Sequence, residues 1–303
     1  MKDRYDIASE KVCEYQISSN RKKLWVIELD LLEMLEDACN KLGISYFMIF
    51  GSAMGAVRHN GFIPWDDDID LGMLREDFDV FAKRGKEFFP DYVDIQYGVS
   101  ERGADILLRI RDGRYTGILG NERKLPGNKG IFIEIYVFDS VGTGKFAELQ
   151  MKASSAVCAA MFAKDKGFKG RFEKAVQKII GMRTLWDWYT KICTASNGKN
   201  KTFVNLVSTP KYGKQVHRFR IEKSELSKTI SVPFEYTNAR IPIGNDKYLT
   251  LLYKDYMTLP PVEKRGVVHD FIVFYDPNKP YTEYENGEIL EQYFGGDASL
   301  SLI

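Results

Sequence analysis

Four carboxylates fill five positions at Asp66, Asp67, Asp68 and Asp70, in the run Trp65-Asp66-Asp67-Asp68-Ile69-Asp70-Leu71. Such a run repels itself unless a cation neutralises it. On a strand, side chains alternate, so Asp68 and Asp70 share one face while Ile69 and Leu71 turn to the core. Their Cα atoms then stand about 7 Å apart, at roughly 3.3 Å per residue, close enough for the carboxylates to share one Mg2+ (or Mn2+) or to bracket two. Taken alone, the run reads equally as a solvated acidic turn after Pro64.

Two further features bear on that choice. Phe50-Gly51-Ser52 sits at the exit of an apolar segment and opens a short helix. A glycine there lets the backbone approach a phosphate, and helix-terminal N–H groups attract the anion, although an ordinary strand-to-helix turn has the same look. In the apolar run Ile131–Phe138, Glu134 is the one charged residue. A buried carboxylate needs a cationic partner, so Glu134 is either a core acid paired with Arg109 or Arg111, or a third metal ligand or proton acceptor.

The remaining candidates each have a plain alternative. Arg58 and His59 could contact phosphate or simply lie on the surface, and Asp67 falls within the same acidic, phosphate-facing run. Trp65 could stack on a base or a quaternary ammonium, or pin its loop. Arg109, Arg111 and Arg114 with Arg123, Lys124 and Lys129 could neutralise a pyrophosphate, but read first as a solvated basic face. His269, a lone histidine, reads as structural.

A Gly-Ser turn followed by a carboxylate–apolar–carboxylate strand resembles the polymerase β-like nucleotidyltransferases, which place a third carboxylate on a later strand. The block from Phe50 to Asp70, FGSAMGAVRHNGFIPWDDDID, is similar throughout to the signature of the LicD family. The segment Phe234-Glu235, Asp246–Leu249 and Tyr253–Pro261, ending near His269, resembles that family's carboxyl-terminal part. The resemblance implies transfer of a phospho-substituent, typically phosphocholine, from a CDP-activated donor to a sugar of a surface glycan such as teichoic acid or lipopolysaccharide. Fukutin-type relatives transfer ribitol phosphate. It also implies Asp68, Asp70 and Glu134 as metal ligands, with Gly51 and Ser52 at the phosphates. Two positions depart from the family pattern: Glu134 stands where Asp is common, and Tyr253-Lys254 where Tyr-Gly is usual. Two alternatives accompany this reading, a nucleotidyltransferase that releases pyrophosphate and an inactive binding module.

Positioning these residues requires a scaffold that the sequence outlines. Ser18, Ser19 and Asn20 offer N-caps for a helix to about Leu42, with Leu24, Ile27, Leu31, Leu35, Ala38 and Leu42 forming one buried stripe and Gly43 ending it. Strands are expected at Ile44–Phe50, Asp68–Leu74, Tyr92–Tyr97, Ile106–Arg111 and Ile131–Phe138, with helices at Ala53–Arg58 and Glu76–Phe89. Lys124–Lys129 reads as a surface loop. Phe146 to about Thr194 reads as helical, broken near Gly167–Gly170 and at Gly181. Strands at Ser231–Phe234 and Ala239–Ile243 and a helix at Asp246–Tyr256 follow.

The pattern indicates an α/β (α+β) fold. The resemblance makes it a polymerase β-like core with a mixed sheet plus a helical insertion. The expected division is a catalytic core at 1–143, a helical region at 144–229 that could bind the acceptor, and a segment at 230–303 that completes the domain.

With 303 residues and 44% hydrophobic content the chain can bury a large core. A net charge of +1 gives no global field for nucleic acid. Cys13, Cys39, Cys158 and Cys193 are too dispersed for a zinc or CxxC site. The amino terminus lacks an apolar signal region, and no segment reaches the ~20 apolar residues of a spanning helix. A cytoplasmic protein is expected, with room for peripheral contact at the inner face of a membrane.

Overall fold

The computed structural model describes residues 5–120, 122, 125–142, 144–163, 167–198, 203–205, 220–266 and 272–284. His269, Arg123 and Lys124 lie outside these residues. A small hairpin, β1 (Glu10–Val12) and β2 (Tyr15–Ile17), leads into α1 (Ser19–Leu42). Ser18 caps α1 by accepting from the Arg21 N–H, and Gly43 closes it in the left-handed region at φ 68°.

Burial on α1 is not confined to one stripe. Arg21, Trp25, Glu28 and Leu32 are buried as well as Leu24, Ile27, Leu31 and Leu35. The helix is covered on a second side, where Leu24 and Ile27 meet Ile131, Tyr115 and Tyr275 in a core of their own.

Next come β3 (Phe47–Met48), α2 (Phe50–His59), β4 (Asp70–Leu74), α3 (Arg75–Arg84) with a 3-10 turn at Gly85–Phe88, β5 (Val93–Ser100), β6 (Gly103–Asp112), β7 (Thr116–Leu119) and β8 (Ile131–Ser140). The sheet is mixed. β8 runs parallel to β4 and antiparallel to β6, and β3 lies antiparallel on the outer side of β4. Parallel β4 and β8 read as near-continuous apolar runs because both faces are covered.

Three helices follow: α4 (Gly144–Met161), α5 (Gly167–Ile180) and α6 (Met182–Cys193). They build a second core around Met151, Cys158, Leu185 and Tyr189 and reach the sheet through Ala104 and the Trp186–Tyr97 ring contact. Beyond them, β9 (Phe203–Asn205) and β10 (Ile221–Glu222) extend the far end of β8, and β11 (Thr229–Phe234) pairs with β12 (Thr237–Pro242). The chain continues through α7 (Asn245–Tyr253) to β13 (Ile272–Asp276), which pairs with β7.

The α/β expectation holds, and several boundaries move. The strand expected over Ile44–Phe50 shrinks to β3, because Phe50 already opens α2. The helix expected from Ala53 therefore takes Gly51 and Ser52 into its first turn. The strand expected from Asp68 starts at Asp70, so strict alternation does not place Asp68 and Asp70 on one strand face. The helix expected to Tyr256 ends at Tyr253, since Lys254 adopts φ 60°. Lys129 is buried rather than part of a surface loop, and the β7–β13 pair was not anticipated.

Candidate active site

α2 and the acidic segment are packed against each other at glycines. A Cβ on Gly51 would stand 2.6 Å from Asp66 Oδ2, and one on Gly55 would stand 2.5 Å from the Gly61 carbonyl oxygen. A Cβ on Gly61 would collide with the Glu235 carboxylate. That carboxylate accepts from the Phe62 N–H at 2.9 Å and from Tyr5 OH at 2.8 Å, so a residue from the last third of the chain holds the loop in place. The spacing of these glycines thus follows from close approach of backbone and carboxylates.

Ser52 ties the two pieces together. The Asp70 N–H donates to its Oγ at 2.8 Å, and the hydroxyl donates to the Asp68 carbonyl at 3.5 Å. The side chain therefore fixes the acidic backbone. Phe50 enters α2 at φ 48°, an uncommon conformation for a bulky residue, with its N–H on Tyr248 OH at 3.3 Å.

The acidic loop also leans on α1. Arg21 Nη1 and Trp25 Nε1 donate to the Asp66 carbonyl at 3.0 and 3.1 Å, and Arg21 pairs with Asp67 at 3.4 Å. Trp25 stacks on Phe62 with centroids 4.7 Å apart. One turn further along this face lies Glu28, fully buried, with no hydrogen-bond partner for either carboxyl oxygen among the described residues. Burial pushes its carboxyl well above the usual range. Asp68 and Asp67 add to that, and Arg21 opposes it. Asp66 is raised for the same reasons, burial first and then Asp68 and Asp67.

Carboxylate oxygens of Asp66, Asp67 and Asp68 lie within 4.8 Å of one another. Hard oxygen donors at this density suit Mg2+ or Mn2+. Of the expected ligands Asp68, Asp70 and Glu134, only Asp68 belongs to this tight group.

Asp70 and Glu134 are brought together differently. They are register partners across parallel β4 and β8, and Glu134 is the register partner of Arg109 across β8 and β6. Asp70, Glu134 and Arg109 thus form one rung, with strands ~4.8 Å apart. Arg109 Nε donates to Glu134 Oε1 at 2.7 Å, and Tyr136 OH donates to Oε2 at 3.3 Å. The half-buried acid has a cationic partner, and it stands beside Asp70 in the sheet.

The other arginines do not form a solvated basic face. Arg111 is fully buried and bonds Glu122 at 2.7 Å together with the carbonyls of Gly117 and Gly130. Arg114 is bound to Asp112 and lies over the Tyr92 ring.

Arg58 and His59 are half-buried and engaged. Arg58 donates to His59 Nε2 at 2.9 Å and to the Tyr256 carbonyl at 2.7 Å. Desolvation, with Arg58 beside it, pushes the His59 imidazole down to about 4, so the ring is neutral near pH 7. Trp65 is buried among Tyr15, His59 and the Arg265 guanidinium, an arrangement that pins the loop.

Sequence reasoning missed Glu28, Arg21 and Tyr248, and it placed Asp66 in the acidic run without giving it a role of its own. A signal existed for Glu28: Arg21, Trp25 and Glu28 step by four and three along α1. The raised carboxyl fixes a sign. The stability tied to protonated Glu28 is fully present below its ordinary 4.5 and is lost as pH climbs toward the raised value. Without metal at neutral pH, Glu28→Gln should therefore melt higher than wild type and gain less from added Mg2+. An equal Mg2+-induced shift in both proteins, read by calorimetry, would separate Glu28 from the cluster.

Comparison with known proteins finds similarity to one family model and to several relatives. Residues 43–114 match the model described as LicD/FKTN/FKRP, nucleotidyltransferase domain. The chain is 26% identical over 253 residues to the lipopolysaccharide cholinephosphotransferase LicD of Haemophilus influenzae, covering 80% of this chain and 92% of that protein. An uncharacterized protein of Rickettsia prowazekii is 34% identical over 33% of this chain and 35% of its own length. Ribitol 5-phosphate transferase FKRP of Homo sapiens is 51% identical over 35 residues, 12% of this chain and 7% of that protein.

Proposed function

We propose that the protein transfers a phospho-substituent, phosphocholine in the first instance, from a CDP-activated donor to a hydroxyl of a cell-surface glycan or glycolipid precursor, releasing CMP. The match of residues 43–114 to the LicD/FKTN/FKRP nucleotidyltransferase domain supports this reading. The observation that carries this reading is the meeting of three elements at one place: the first turn of α2, the Asp66–Asp70 segment and the Asp70–Glu134–Arg109 rung. Similarity to a lipopolysaccharide cholinephosphotransferase over most of both chains supports the transferred group and the acceptor class.

Asp68 and Asp70, with Glu134 beside them, would hold Mg2+ or Mn2+. When bound, the ion neutralises charge on the donor phosphates during transfer. The chain's own groups do the rest. The amides of Gly51 and Ser52 face the phosphates from the start of α2. Ser52 Oγ locks Asp70 in register. Arg109 at Oε1 and Tyr136 at Oε2 hold the Glu134 carboxylate beside Asp70, where it would take the proton of the attacking hydroxyl.

The test is turnover with Mg2+ and each of CDP-choline, CDP-ribitol, CDP-glycerol, CTP and ATP, following CMP and pyrophosphate. CMP release from a cytidine diphosphate conjugate, with acceptor-dependent stimulation, is expected. Pyrophosphate release from CTP or ATP would replace this reading with nucleotidyl transfer.

A further inference from the structure

The α4–α6 unit turns large apolar side chains to solvent, and α5 does so most. Phe168 is 90% exposed, Phe172 63% and Ile179 84%. With Ala175 they step by four, three and four, which forms one stripe along a single face of the helix. The opposite face is already used: Gly170 is buried, Val176 and Ile180 pack into the second core, and Gln177 donates to the Met161 carbonyl at 2.6 Å. The exposed stripe is therefore not the helix's core-facing side.

Charge singles out the occupant. α5 carries Lys169, Arg171, Lys174 and Lys178 against Glu173 alone, in a chain whose net charge is +1. Arg171, Lys174 and Lys178 line one flank of the stripe, at spacings of three and four. A second copy docking through the same stripe would bring these cations against their own counterparts. A sheet of anionic headgroups over an apolar interior complements both the stripe and its flank. At 14 residues the helix is about 21 Å long, too short to span a bilayer of about 30 Å, so it would lie in the plane of the surface. Phe146 and Leu149 on α4 are exposed as well, at 56% and 63%.

We propose that α5 is a membrane-docking helix that inserts Phe168, Phe172 and Ile179 into the interface of a bilayer rich in anionic phospholipid. Docking of this kind holds a soluble catalytic core beside lipid-borne acceptors, and it requires neither donor nor metal.

The test is flotation of the full chain with phosphatidylglycerol–phosphatidylcholine vesicles and with pure phosphatidylcholine vesicles, without nucleotide or glycan. Failure of the catalytic reading therefore leaves this result untouched, and the reverse also holds. Wild type should float with the anionic vesicles at least several-fold more than with neutral ones. Phe168→Ser/Phe172→Ser should lose most of that binding while keeping wild-type circular dichroism and melting temperature, because both rings are exposed. Equal flotation of wild type on both vesicles, or undiminished flotation of the double variant, would overturn the proposal. So would a solution dimer that the same variant splits, since the occupant would then be a second copy.

Discussion

Asp70→Ala is expected to reduce turnover by roughly 10^3-fold or more, because in the proposed mechanism it removes a metal ligand and with it several kcal/mol of charge stabilisation in the transition state. Asp68→Ala should do the same for the same reason. Both variants should fold. In metal-free protein each should melt at or slightly above wild type, since Asp66, Asp67, Asp68 and Glu28 crowd one another while the Arg21 guanidinium offsets part of that repulsion. Added Mg2+ should then stabilise wild type more than either variant. A fully active Asp68→Ala, or wild-type turnover that survives EDTA, would refute the two-carboxylate centre.

Glu134→Gln should lower the rate by at least ~100-fold, the range of a positioned acid–base group, with little change in melting temperature. The substitution keeps the volume and the hydrogen bond of Tyr136, and removes the charge that sits beside Asp70 and faces Arg109. Glu134→Asp should retain part of the activity. Arg109 provides the control. Its guanidinium also reaches Asp105 and Glu122, both at 3.4 Å, so Glu134→Gln does not leave it stranded. A Glu134→Gln variant that is fully active but markedly unstable would make the residue a structural ion-pair partner alone.

Much of this was legible in the residues themselves. The period of α1, its Ser18 cap and its Gly43 stop, the three-helix break points at Gly167 and Gly181, and the apolar run of β8 all follow from local preference and pattern. The acidic run and the Gly-Ser turn could be seen as one site before any fold was known.

What escaped was set by distant contacts. Phe50 starts α2 early because Tyr248, far along the chain, takes its N–H. Asp70 rather than Asp68 begins β4 because Ser52 caps the strand from the side. The β7–β13 pair has no local signature, since strands of four and five residues carry too little pattern to be separated from loop. Glu28 was hidden for a different reason: a glutamate inside a helix is unremarkable until the loop it faces is known.

The clamp on α2 has a consequence for how the molecule comes into being. The groups proposed to do the chemistry emerge from synthesis early, between residues 50 and 134, but three of the fastenings around them come from Glu235, Tyr248 and Tyr256. Each closes a loop of more than 170 residues, the slow kind of contact in a folding reaction. A nascent chain therefore carries its acidic cluster unfastened until the last third has been made. A fragment cut at the end of the matched domain, near residue 114, would hold most of the signature and lack both the Glu134 rung and the clamp. The proposed site is therefore assembled late, once the chain has been made as far as Tyr256.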